Sequence, residues 1–120
     1  MDASRTLWLI DDDSLIRVLA SKQCAKMGYE MQAFESGRDA IDALQNAEPL
    51  LIVIDKEMPA MGGLETGEAV RTKGFQGPMI LWTASPNQEV TATALDTGFD
   101  RVLSKAVSLK DILAELGLVA

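Results

Sequence analysis

Several side chains that can bind a metal ion or a phosphoryl group stand directly after apolar runs of the chain. Asp11 and Asp12 follow the run at 7–10, Asp55 follows the run at 50–54, and Thr83 and Lys105 come after two later runs. Carboxylate oxygens that leave positions open for water and a phosphoryl group are typical of a Mg²⁺ site. A metal, an ammonium group and a hydroxyl together can hold a phosphoryl group during transfer. These residue types predict Mg²⁺-dependent phosphoryl chemistry, provided that the fold brings them together.

The apolar runs alternate with helix-like segments along the whole chain. Continuous apolar runs predict buried strands at 7–10, 50–54 and 79–82, and weaker strands are predicted at 29–34 and 102–103. Helices are predicted at 16–27 (ending at Gly28), 36–44 (capped by Ser36), 64–73, 88–97 and 108–116 (capped by Ser108). The segment 88–97 is poorly amphipathic and offers only Val90, Ala94 and Leu95 as candidates for burial.

This alternation predicts an α/β fold in a single domain, residues 1–120. The expected architecture is a doubly wound five-stranded parallel sheet, a (βα)5 flavodoxin-like three-layer sandwich with strand order 2-1-3-4-5. In that order the first and third strands are neighbours, so Asp11, Asp12 and Asp55 converge at their carboxyl ends. Two unit charges about 5 Å apart repel by roughly 3 kcal/mol at an effective dielectric near 20, so the cluster needs a cation.

Structural roles also explain some of these residues one at a time. Asp13 is a preferred residue type for the N-cap of the first helix. Thr83 alone fits a strand end, and Lys105 alone fits an exposed surface. Asp55 is harder to explain in this way, because a carboxylate next to a buried strand loses hydration unless another group compensates.

Composition excludes several classes of function. The chain has 18 acidic and 11 basic residues, a net charge of −7, and no basic stripe, which argues against nucleic-acid or anionic-membrane binding. One cysteine precludes an internal disulfide, and the lack of histidine precludes a Cys/His zinc site and a phosphohistidine on this chain. No apolar run approaches membrane-spanning length, so we expect a soluble, cytoplasmic protein.

The ordered set of motifs resembles the receiver domain of two-component response regulators, of the chemotaxis-regulator type. The matching positions are the pair Asp11-Asp12, the segment DKEMPAMGGL at 55–64, Thr83-Ala84 and Lys105. The resemblance extends over the whole chain and implies a signalling domain rather than an enzyme. It also implies a Mg²⁺ cofactor, a histidine kinase or histidine phosphotransfer protein as phosphodonor, and an output partner that binds the face of helix 4, strand 5 and helix 5.

The resemblance implies a role for each site residue. Asp55 would be the phosphoacceptor and a metal ligand, Asp12 a direct metal ligand, and Asp11 a ligand through water. The backbone carbonyl of Glu57 would complete the protein ligands of the metal. By the same resemblance, Lys105 would contact the phosphoryl oxygens, and Thr83 would move to hydrogen-bond one of them.

Four positions depart from the common receiver pattern. Glu57 adds a negative charge two residues after the acceptor, and Gly62 replaces a frequent Asp. Ala106 replaces the usual Pro after the lysine, so we expect a trans peptide there and a loop of different shape. Val102 replaces the aromatic residue that usually swings inward with the threonine, so the aromatic half of that switch is missing.

Three other functions fit parts of the sequence. A degenerate receiver would keep the fold and bind partners without phosphorylation. A haloacid-dehalogenase-like phosphatase would use the Asp11-x-Asp13 pair, although Leu15 stands where that family has Thr or Val. A flavin-phosphate binder would need a Ser/Thr/Gly-rich loop where this chain has three aspartates. The sequence leaves open whether the domain acts alone or within a larger regulator.

Overall fold

The computed structural model describes residues 5–45 and 48–119, so the expected domain of 1–120 extends beyond them at both ends. Five strands alternate with five helices. The strands are β1 (Thr6–Ile10), β2 (Glu30–Phe34), β3 (Leu51–Asp55), β4 (Met79–Thr83) and β5 (Arg101–Ser104). The helices are α1 (Ser14–Lys26), α2 (Gly37–Ala43), α3 (Gly63–Thr72), α4 (Gln88–Thr97) and α5 (Leu109–Glu115). Each predicted element is therefore present, with its ends shifted by a few residues at most.

All five strands join one parallel sheet in the order β2-β1-β3-β4-β5, as predicted. In β1 and β3, Ile10 is paired with Ile54, so the residues that follow them, Asp11 and Asp55, lie side by side. In β3 and β4, Asp55 is paired with Trp82, which places Thr83 one residue further along the neighbouring strand. The register therefore delivers the acidic residues and the threonine to the same sheet edge.

The sheet separates two apolar cores. Trp8, Ile10, Ile52 and Ile54 face the core that is shared with α2, α3 and α4, and the alternate strand residues face the core beneath α1 and α5. Because successive side chains of a strand point to opposite faces, a strand covered by helices on both sides must be apolar throughout. This requirement explains the continuous apolar runs of β1, β3 and β4.

The second core contains the single cysteine of the chain. Cys24 is fully buried on α1 among apolar side chains, and burial raises the pKa of its thiol to about 11. The thiol is therefore neutral at physiological pH and packs as a small apolar side chain.

Short polar side chains cap the N-termini of α1, α2 and α5, as the sequence predicts. Asp13 Oδ1 accepts hydrogen bonds from the backbone N–H groups of Leu15 and Ile16, which confirms its role as the N-cap of α1. Ser36 and Ser108 cap α2 and α5 in the same way. These caps satisfy N–H groups that have no partner within the helix.

The third and fourth helices differ from ordinary amphipathic helices. On α3 the buried residues are mostly small, namely Gly63, Thr66, Gly67 and Val70, so this helix packs by close approach. On α4 only Ala94 is fully buried. The expectation that Leu95 is buried was wrong: the side chain is 50% exposed, because the helix turns it away from the half-buried Val90 and the core.

None of the helices within residues 5–45 and 48–119 has the length and apolar character that a membrane-spanning segment requires.

Replacing Gly67 by Ala is expected to destabilise the fold. A Cβ atom at this position would lie 2.3 Å from the ring of the buried Phe99, well inside van der Waals contact. The alanine would gain up to about 1 kcal/mol in helix propensity, whereas overpacking a core costs typically 1–3 kcal/mol. Urea unfolding should therefore show a net loss of about 1 kcal/mol for Gly67→Ala, and a gain in stability would contradict this packing.

Candidate functional site

Three carboxylates converge where β1 and β3 end. Asp11, Asp12 and Asp55 each place an oxygen within 4.8 Å of the others. An all-oxygen donor set of this size suits a hard cation that keeps some of its water, such as Mg²⁺. The predicted convergence is therefore present, and the residues fit a hydrated divalent cation.

The three carboxylates differ in their access to solvent. Asp11 is fully buried and the side chain of Asp55 is only 7% exposed, whereas Asp12 is exposed. A hydrated ion arriving from solvent therefore meets Asp12 first. The two buried carboxylates form the floor of the site, where charges interact more strongly than they do in water.

One ammonium group contacts both buried carboxylates. Lys105 Nζ lies 2.7 Å from Asp11 Oδ2 and 2.9 Å from Asp55 Oδ1. Burial alone lowers the pKa of this lysine, but the hydrogen bonds to the two carboxylates outweigh it, so the pKa is raised above its usual value. Lys105 therefore remains a cation throughout the physiological range.

The surroundings of Asp55 oppose the ionisation of its carboxyl group. Burial raises the pKa of its carboxyl group, and the negative charges of Asp11 and Asp12 raise it further, while the hydrogen bond from Lys105 acts in the opposite direction. The net result is a pKa above the usual value, so one lysine does not fully compensate the carboxylate cluster. A divalent cation would supply the missing positive charge.

Thr83 ends β4 in a fully buried position. Its hydroxyl oxygen accepts a hydrogen bond from the backbone N–H of Ser85 at 3.2 Å, and its carbonyl accepts one from the N–H of Lys105 at 2.8 Å. Thr83 thus links the loop after β4 to the lysine loop. Glu57 is exposed in the loop after β3, and the role of its carbonyl as a metal ligand stays a prediction.

The loop after β3 is held tightly against the acceptor strand. A Cβ atom at Gly63 would lie 2.3 Å from the backbone oxygen of Asp55, and the Gly63 N–H donates to the Lys56 carbonyl at 2.8 Å. Only a glycine allows the start of α3 to approach the acceptor backbone this closely. This contact fixes the position of Asp55 from one side.

Trp82 has a role at the site that the sequence did not reveal. Its indole N–H donates to the carbonyls of Ser104 and Val107, on either side of Lys105, at 3.1 and 3.2 Å. Nζ of Lys105 lies 5.6 Å from the centre of the indole ring, within the range of a cation–π contact. The tryptophan therefore shapes the loop that carries Ala106 in place of the usual proline, and the peptide between Lys105 and Ala106 is trans, as expected.

Comparison with known proteins agrees with this geometry. The family described as "Response regulator receiver domain" matches residues 7–117. The chain belongs to this family. This receiver domain is 30% identical over 108 residues to the response regulator MprA of Mycolicibacterium vanbaalenii, covering 90% of the chain and 47% of that protein. It is 32% identical over 114 residues to the nitrate/nitrite response regulator protein NarL of Escherichia coli, covering 92% of the chain and 52% of that protein.

Solved structures show the same fold. Chemotaxis protein CheY4 of Vibrio cholerae superimposes with a TM-score of 0.86 at 27% identity, covering 96% of this chain and 98% of that one. The receiver domain spans about half the length of the curated relatives it matches. Membership of the family makes it a signalling domain of two-component systems rather than an enzyme in the ordinary sense.

The two aspartates of the Asp11-x-Asp13 motif, on which the phosphatase alternative rests, have different partners in this receiver domain. Asp13 uses its carboxylate to cap α1, and it is not among the three carboxylates that cluster. Asp11 instead lies against Lys105. The carboxylate of Asp13, the second aspartate of the motif, therefore serves as the N-cap of α1.

Replacing Asp55 by Asn is expected to stabilise the receiver domain at neutral pH when Mg²⁺ is absent. The raised pKa means that the unfolded chain releases the Asp55 proton first, so folding stability falls as the pH rises through 3.8 towards the raised value. Above that value the cost is constant, and the asparagine avoids it. Urea unfolding in a chelator should be measured at several pH values. The free energy of unfolding of Asp55→Asn should exceed that of the wild type by an amount that grows as the pH rises from 3.8 to the raised pKa.

A control variant and the addition of Mg²⁺ test this prediction further. Asp42→Asn, which alters an exposed carboxylate on α2, should change the free energy of unfolding by less than about 0.5 kcal/mol. Addition of Mg²⁺ should stabilise the wild-type protein more than Asp55→Asn. A variant that is less stable than the wild type at neutral pH without Mg²⁺ would show that Lys105 compensates the acceptor completely.

Proposed function

We propose that this receiver domain is a Mg²⁺-dependent phosphoacceptor that takes a phosphoryl group from a phosphohistidine and then changes its affinity for a partner protein. The observation that carries this proposal is the position of Asp55. Its buried carboxylate lies 2.9 Å from the ammonium group of Lys105 and within 4.8 Å of oxygens on Asp11 and Asp12. The groups that would serve as nucleophile, cationic contact and metal ligands are therefore available at one sheet edge.

The transfer is a displacement at phosphorus. A carboxylate oxygen of Asp55 would form a bond to phosphorus while the bond from phosphorus to the histidine nitrogen breaks and its electron pair returns to that nitrogen. The donor ring, protonated on its other nitrogen, would leave as neutral imidazole. Asp11, Asp12, Asp55 and the Glu57 carbonyl would hold Mg²⁺, which when bound neutralises charge on the phosphoryl oxygens. Burial of Asp55 keeps water away from the nucleophile.

Lys105 and Thr83 would respond to the new phosphoryl group. Formation of the acyl phosphate would remove the negative charge from the Asp55 carboxylate and place charge on the phosphoryl oxygens, so Nζ of Lys105 would turn to one of these oxygens while staying close to Asp11. The Thr83 hydroxyl, which accepts from Ser85 in the present structure, would donate to another phosphoryl oxygen. That movement would pull the loop before α4 and so alter the face formed by α4, β5 and α5.

Intact mass measurement tests the acceptor. Incubation with a small phosphodonor and Mg²⁺ should add one phosphoryl group to the wild-type domain and none to Asp55→Asn. Asp42→Asn should be phosphorylated like the wild type, because this carboxylate is exposed on α2, away from the cluster. Absence of any mass gain in the wild type, or an unchanged gain in Asp55→Asn, would refute the proposal.

The degenerate receiver is the principal alternative. It would retain the fold and bind its partner equally well with or without Mg²⁺ and a phosphoryl mimic. The intact cluster favours the phosphoacceptor, since the groups that the chemistry would use, Asp11, Asp12, Asp55 and Lys105, lie close together. A purely structural site would have no reason to retain an acceptor whose ionisation opposes folding.

The donor protein is expected to dock on α1. Leu15, Val18 and Leu19 on this helix are 63%, 51% and 52% exposed, which is unusual for large apolar side chains. Leu19 also lines a groove with Lys105 and Ala106, so the apolar surface continues to the phosphoacceptor site. A histidine kinase or histidine phosphotransfer protein must cover this region while it presents its phosphohistidine to Asp55.

Leu19→Glu is therefore expected to slow transfer from a phosphorylated histidine phosphotransfer protein at least tenfold, while phosphorylation by a small donor stays within about twofold of wild type. A charge in the apolar contact would weaken docking but leave the chemistry intact. Leu95→Glu is the matched control, because Leu95 is 50% exposed on α4 instead. The docking surface is misassigned if the two variants behave alike in radiolabel transfer assays.

A further inference from the structure

Asp11 is fixed at all of its polar groups. Its backbone N–H donates to the Phe34 carbonyl at 3.0 Å, its Oδ1 accepts from the Asp13 N–H at 2.9 Å, and its Oδ2 contacts Lys105. The remaining group, the backbone carbonyl, accepts a hydrogen bond from Nη1 of Arg17 at 2.8 Å. The first three contacts are made by β2, by the turn after β1 and by Lys105. The fourth is made by the long side chain of Arg17, which extends back from α1.

Arg17 does not neutralise the carboxylates that it approaches. Within residues 5–45 and 48–119, its guanidinium forms no ion pair at 4.0 Å or less, and its bond to Asp11 is to the main chain. An arginine placed to supply charge would be expected to form a bidentate pair with a carboxylate. The side chain is half-buried beside the cluster and leaves the carboxylate oxygens to other ligands.

The carbonyl held by Arg17 belongs to the peptide that joins Asp11 to Asp12. A peptide group is planar, so fixing its oxygen also fixes the direction of its nitrogen and the start of Asp12. In the part of the chain that the structure describes, the carboxylate of Asp12 accepts no hydrogen bond that would orient it independently. The direction of this exposed carboxylate therefore depends on its backbone.

We propose that Arg17 is a positioning residue for the metal site: its hydrogen bond to the Asp11 carbonyl sets the Asp11–Asp12 peptide so that Asp12 faces Asp55. This inference rests on the proposed function, because it takes Mg²⁺ as the ligand of the cluster. Arg17 acts through Asp12 and does not touch the metal. Outer contacts of this kind change metal affinity by about 10–100-fold when they are removed.

The direction in which Mg²⁺ affinity changes on replacement of Arg17 distinguishes a positioning role from a purely electrostatic one. Removing a positive charge near a cation site strengthens cation binding if electrostatics alone operate. Loss of a positioning contact weakens binding, because Asp12 must then be ordered by the metal itself. Arg17→Met removes both the donor and the charge while keeping a long side chain of similar helix propensity, and Arg17→Lys keeps the charge and one donor.

Mg²⁺ titration of the full chain, followed by tryptophan emission and calorimetry, tests the inference. Trp82 reports on the site because its ring lies 5.6 Å from Nζ of Lys105. Arg17→Met should bind Mg²⁺ about tenfold more weakly than the wild type, and Arg17→Lys should recover part of the loss. Lys22→Ala, which removes an exposed positive charge from the same helix, should stay within about twofold of the wild type.

Two further measurements separate positioning from a general loss of structure. Urea unfolding in a chelator should show each variant fully folded under the titration conditions. At saturating Mg²⁺, phosphorylation of Arg17→Met by a small donor should return to within about twofold of the wild-type rate, because the metal then orders Asp12.

Unchanged or tighter Mg²⁺ binding by Arg17→Met, with normal binding by the wild type, would overturn this inference alone. Failure of the wild type to bind Mg²⁺ would overturn the proposed function as well. A phosphorylation rate that stays low at saturating Mg²⁺ would also overturn the inference, because it would place Arg17 in the transfer step instead of in metal binding.

Discussion

The structure depends on holding three carboxylates within 4.8 Å at one edge of a sheet with a single lysine between two of them. The ionisation of Asp55 in this arrangement is opposed by burial and by its acidic neighbours. The apolar cores on both sides of the sheet hold the strands together against this repulsion. Such an excess of negative charge suits a small divalent cation.

The fold is arranged around this constraint. Parallel pairing of β1 with β3 places Asp11 and Asp55 side by side at the carboxyl ends of these strands, and the β4–β5 pair brings Lys105 to the same edge. The close approach of Gly63 to the Asp55 backbone and the four bonds to Asp11 limit how far the carboxylates can move apart. Electrostatic repulsion is thus resisted by backbone geometry as much as by the lysine.

The sequence predicts the fold and the central residues of the site for a simple reason. A carboxylate directly after a buried apolar run has few structural explanations, so Asp55 stands out by itself, whereas Lys105 is recognisable only together with the acidic residues at the other strand ends. The contact between Arg17 and the Asp11 carbonyl, and those between Trp82 and the loop of Lys105, join side chains to main-chain atoms. Any residue has a carbonyl group, so no residue type marks the partner, and such contacts need coordinates. Leu95 was misjudged because an apolar residue on a weak helix has no partner that periodicity can identify.

The two bonds from the Trp82 indole to carbonyls on either side of Lys105 bear on how the lysine loop would respond to phosphorylation. They restrain the backbone of this loop, so in the proposed reaction the ammonium group would follow the phosphoryl group mainly by rotating its own side-chain bonds. The loop after Thr83 would instead have to move as a segment. The electrostatic and conformational parts of the proposed response would therefore take place in different parts of the site.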